Sequence, residues 1–78
     1  MSEKLPRITA SDVIKALEKE GFTLSRQSGS HKIFKNQQGK RVTIPYHSGD
    51  ILHPKLLRSI LSDAGLTVEQ LKGLIGKQ

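Results

Sequence analysis

Between Phe22 and Pro45 the chain falls into three short runs broken by two polar turns that contain glycine, and this pattern leaves little choice of fold. Phe22-Thr23-Leu24-Ser25-Arg26 alternates apolar with polar residues, the period of a half-buried strand. Ser28-Gly29-Ser30 interrupts it as a turn. His31 to Lys35 is the second run, and Asn36-Gln37-Gln38-Gly39-Lys40 is a polar hairpin loop. Arg41-Val42-Thr43-Ile44-Pro45 then alternates again, and Pro45, which has no backbone donor, marks a strand end or a sheet edge. Three strands joined so closely make an antiparallel meander, and a meander needs one face covered.

Helical patterns on either side supply the cover. Thr9 suits an N-cap, with Asp12 three residues on as in a capping box, and Ile8 with Val13 fits a hydrophobic staple. Ala10, Val13, Ile14 and Leu17 share one face, and Gly21 offers the left-handed stop. After the Tyr46–His53 loop, Pro54 fits the first position of a second helix. There Leu56, Leu57, Ile60, Leu61 and Ala64 form the strongest apolar stripe in the chain, and Gly65 ends it. Thr67 with Gln70 makes a second capping box and Leu66 with Leu71 a second staple, so a short final helix is predicted from Val68 to about Ile75.

The expectation is an α+β domain of order α-β-β-β-α with a short extra C-terminal helix. Its three-stranded antiparallel sheet carries the helices on one face, the order found in double-stranded-RNA-binding domains. The 78 residues make a single domain, 1–78. Without cysteine it is held by packing alone, which suits a reducing cytoplasm. So small an interior puts any active site on the surface or at a sheet edge. Met1 to Arg7 lacks the apolar core of a signal peptide, and no apolar run is long enough to span a membrane, so a cytoplasmic protein is expected.

Thirteen Lys and Arg against seven Asp and Glu give a net charge of +6. Its distribution matters more than its sum. Between Gly21 and Gly49 lie Arg26, Lys32, Lys35, Lys40 and Arg41, with no acidic residue. Such a basic stretch is the footprint of a nucleic-acid partner. The same charges also serve solubility, and lysine on an edge strand guards against edge-to-edge aggregation.

Gly29-Ser30-His31-Lys32-Ile33-Phe34 is where chemistry enters. A glycine turn delivers a histidine to the first position of a strand, where the ring is partly exposed yet held by neighbouring backbone. Cations around it suit a phosphodiester: they neutralise phosphate, while an imidazole moves protons near neutral pH. On the isolated triplet a surface histidine that closes a turn is the more ordinary reading. Strand parity leaves the face open. His31 shares a side with Ile33, and Lys32 with Phe34.

The other candidates are weaker. His47, Asp50 and His53 have i, i+3, i+6 spacing, but without further ligands they read as loop histidines rather than zinc ligands, one of them a candidate proton donor. Tyr46 fits a base-stacking residue as well as a half-buried loop anchor. Arg58 points off the apolar stripe, free for phosphate or an acidic protein.

The chain resembles the HicA family of toxin–antitoxin modules over nearly its whole length. The likeness rests on the short first helix, Gly29-Ser30-His31 at the head of the second strand, Val42-Thr43-Ile44-Pro45 at the third, Leu56-Leu57-Arg58-Ser59-Ile60-Leu61 in the second helix, and Ala64-Gly65-Leu66-Thr67 after it. It departs from the family at Pro54-Lys55, where members often carry Gly-Thr. The resemblance implies ribosome-independent cleavage of mRNA, an essential histidine mapping onto His31, a HicB antitoxin that blocks the site, and no metal or organic cofactor. Arg26, Ser30, Lys32, Lys35 and Arg41 are the expected RNA-binding residues. In chemical terms, His31 would act as general base on the RNA 2′-hydroxyl or general acid on the 5′-oxygen, with Lys32, Arg26 or Lys35 stabilising the phosphorane. Two rival readings use the same residues: a non-catalytic RNA-binding module, and an interaction protein whose basic face serves only an acidic partner.

Overall fold

The computed structural model describes residues 8–46 and 51–76. Helix α1 (Ala10–Lys19) is followed by strands β1 (Thr23–Ser28), β2 (His31–Lys35) and β3 (Arg41–Pro45), then helices α2 (Pro54–Ala64) and α3 (Val68–Ile75). The strands form one antiparallel sheet in the order β1-β2-β3. The predicted α+β architecture is the observed one.

Capping residues set the helix boundaries. Thr9 Oγ1 accepts from the Asp12 amide while the Asp12 carboxylate accepts from the Thr9 amide, so two otherwise orphaned donors are satisfied. Thr67 and Gln70 repeat the exchange at α3. Gly65 ends α2 at φ +74°. A Cβ there would force a side chain into the left-handed region, which costs about 1–2 kcal/mol. It would also meet the end of the Lys40 side chain at 2.9 Å, a group long enough to move aside. Gly65→Ala is therefore expected to lower Tm by several degrees, about 4–8 °C for each kcal/mol in a domain of this size, as read by thermal melting.

The helices bury Phe34 of β2 together with Val42 and Ile44 of β3. Around these pack Ala10, Val13, Ala16 and Leu17 of α1, Leu57, Ile60, Leu61 and Ala64 of α2, and Leu71 of α3. Helix α2 lies against β3, and α3 against α1. The segment before α1 is tied to the segment before α2, because the Leu52 amide donates to the Ile8 carbonyl at 2.8 Å and Thr9 bridges Ile51.

Two expectations need correction. The first turn is shorter than predicted: Ser28 pairs with His31, leaving a two-residue loop of Gly29 and Ser30. Gly29 takes φ +58° at the first central position, the place a type II′ hairpin reserves for glycine. The first strand is not half-buried either; all six residues of β1 are exposed, with Leu24 at 49%. A bulge at Ser25, between Leu24 and Arg26, shifts the register, and the buried sheet residues belong to β2 and β3. The apolar residue buried at this point is Phe22, just before the strand.

Candidate functional site

Burial resolves the parity of β2. Lys32 pairs with Ile44 and Phe34 with Val42, and because Phe34, Val42 and Ile44 are buried, this is the helix-covered face. His31, Ile33 and Lys35 therefore point to the opposite, open face. They face Pro45, Thr43 and Arg41 on β3, and Ser28, Arg26 and Thr23 on β1. The open face thus gathers Arg26, His31, Lys35 and Arg41, and the three strands that form it contain no acidic residue.

His31 is exposed, but its backbone is held on both sides because β2 is the central strand. The Tyr46 amide donates to the Ser30 carbonyl at 2.6 Å, just beyond the His31–Pro45 pair. His31 and Pro45 consequently meet as a non-hydrogen-bonded pair, the kind in which side chains approach most closely. The same pattern turns the donorless nitrogen of Pro45 outward along the sheet edge, where it costs nothing. Arg26 lies diagonally across from His31, within reach of a long side chain. Lys35 and Arg41 stand directly opposite each other, four residues along β2 from His31. Like charges so placed repel, and an anion between them relieves that repulsion.

Lys32 is not part of this group. It is half-buried on the helix-covered side, with its Nζ 4.1 Å from the centroid of the Tyr46 ring. Tyr46 is itself half-buried, and its hydroxyl lies 3.3 Å from Ser11 Oγ of α1, so the anchoring role describes its position. Ser30 is exposed in the turn beside His31. Lys40 sits in the hairpin loop by Gly65, and Arg58 is exposed on α2.

His53 has a local task that its loop position did not reveal: it caps α2, with Nδ1 accepting from the Lys55 amide at 3.2 Å. His47 and Asp50 lie outside the described residues. Among the described residues no three His, Cys, Asp or Glu side chains come together as a metal site. A polar groove of about 450 Å³, lined by Glu20, Asn36, Lys40 and Gln70 among others, opens beside the β2–β3 hairpin, at the far end of β2 from His31. Ile33, Thr43 and Pro45 join the open face only through register, a placement that parity gives once the core side of β2 is known.

Comparison with known proteins supplies a family. A family model described as the HicA toxin of bacterial toxin–antitoxin matches residues 10–66, from the start of α1 to just past α2. No curated protein matches the chain.

Proposed function

Because this chain belongs to the HicA toxin family, and so is the toxin of a toxin–antitoxin module, we propose that it cleaves mRNA as a metal-independent endoribonuclease with His31 as its acid–base group. One observation carries the reading: His31 stands exposed on the same open face as Arg26, Lys35 and Arg41, on strands that contain no acidic residue.

Such a face needs little else to act on RNA, which carries its own nucleophile. The 2′-oxygen attacks the adjacent phosphorus, the bond from phosphorus to the 5′-oxygen breaks, and the products are a 2′,3′-cyclic phosphate and a 5′-hydroxyl. His31 either takes the proton from the 2′-hydroxyl or supplies one to the departing 5′-oxygen, and solvent water carries the other proton. Arg26, diagonal to His31, is placed to stabilise the crowded phosphorane. Of the three cations expected to do this, Lys32 is on the other face and Lys35 four residues away, which favours Arg26. Ser30, in the turn, is placed to contact flanking RNA, whereas Lys32 lies on the helix-covered face with its ammonium over the Tyr46 ring.

The partner in this reading is a HicB-type antitoxin that covers the open face, and the site of action is the cytoplasm. No helix among the described residues is long and apolar enough to cross a membrane.

End-group analysis tests the mechanism. RNA treated with the protein in the presence of a chelator should carry 2′,3′-cyclic phosphate or 3′-phosphate ends. Ends bearing a 3′-hydroxyl, or cleavage that stops when divalent ions are removed, would refute it. Binding without cleavage would point instead to an RNA-binding module.

A further inference from the structure

We propose that Lys35 and Arg41 form a distal phosphate subsite on the open face, holding a single RNA strand about two nucleotides to one side of the cut at His31. This deepens the reading above and rests on it.

Three observations lead there. The first is the facing pair itself. Lys35 and Arg41 are cross-strand partners in a sheet whose strands contain no acidic residue, so an external anion would relieve their repulsion. A bridging phosphate accepts hydrogen bonds from both. The second is spacing. Four residues of β2 separate His31 from Lys35, about 13 Å at the rise of a strand and roughly the span of two nucleotides in an extended strand. The third is what lies between. Ile33, flanked by Arg26 and Thr43, is only partly exposed although it is on the side away from the helices. It offers an apolar step for a base or ribose, with Arg26 beside it for the intervening phosphate.

The chemistry asks for a single strand as well. Attack by the 2′-oxygen requires it to lie in line with the breaking bond to the 5′-oxygen, and a ribose locked in an A-form helix does not reach that alignment. A strand splayed over a sheet is free to do so, and single strands are commonly bound in this way. The track runs from His31 toward the β2–β3 hairpin, so its contribution falls on one side of the scissile bond.

The test uses DNA oligonucleotides that carry one ribonucleotide, which fixes the cut. They are lengthened one nucleotide at a time, either 5′ or 3′ of that position. With the native protein, kcat/KM should step up about tenfold when the second phosphate is added on one side. The step should shrink steeply as salt rises. In the Lys35→Gln/Arg41→Gln double variant, checked for folding by circular dichroism, it should vanish. An equal gain on both sides, or a step that persists in the double variant, overturns the subsite. If the native protein cuts none of these substrates, the nuclease reading fails. The subsite is then judged by the affinity of all-DNA strands of the same lengths, where the same step must appear and the double variant must lack it. A face that binds poly-glutamate but no oligonucleotide overturns the proposal in favour of an acidic protein partner.

Discussion

His31→Ala should lower RNA cleavage by about 10²–10⁴-fold while leaving Tm within about 4 °C of the native value. The activity loss follows because the variant keeps every open-face cation but has no imidazole to move a proton. The preserved stability follows from exposure: surface substitutions away from special features usually change stability by less than about 0.5 kcal/mol. His31 is exposed, and its backbone is held by pairing on both sides rather than by its ring. Single-turnover cleavage and thermal melting on the same samples check both halves. RNA binding should survive as well, since Arg26, Lys35 and Arg41 remain. A variant that melts like the native protein, binds RNA and cleaves at an unchanged rate would remove His31 from the chemistry.

Three residues further along the same strand, Phe34→Ala should have the opposite profile. Phe34 is 2% exposed at the centre of the core, facing Val42 across the sheet. Truncating a buried phenylalanine costs about 3–5 kcal/mol through lost burial and the cavity left behind. A domain of this length has total stability on the order of 4–12 kcal/mol at typical values per residue. The variant should thus lose about a quarter or more of its stability, with a large drop in the denaturant midpoint. Whatever activity remains should track the folded fraction. A Phe34→Ala protein with a native-like midpoint would mean that the sheet is not packed through this residue. Together the two variants separate the faces of β2, one chemical and one structural.

The helices were legible because their ends are written in local chemistry. Thr9 with Asp12, Thr67 with Gln70, Pro54 and Gly65 fall where capping rules put them, and the apolar stripes predict the buried faces. The sheet was legible in its order but not in its burial. Alternation in Phe22 to Arg26 suggests a covered strand, yet only tertiary packing decides which strands the helices lie over, and β1 stays exposed. The face of His31 was undecidable from the strand alone, because Ile33 and Phe34 are both apolar and adjacent. The register against Val42 and Ile44 settles it. The same parity separates Lys32 from His31, although the two are neighbours in the chain. His53 was missed as a cap because histidine is not among the usual N-cap residues, though Pro54 directly after it marked the position.

The placement of His31 on the open face of a sheet bears on how such a protein is kept in check. A small molecule finds few walls to lean on over a plane of strands, and water competes for every contact it makes. In the proposed reading, silencing His31 calls for a lid as broad as the sheet, one that screens a row of positive charge while it shades the ring. A folded acidic protein would have the needed breadth, which is the kind of partner the proposed reading gives this member of a toxin–antitoxin family.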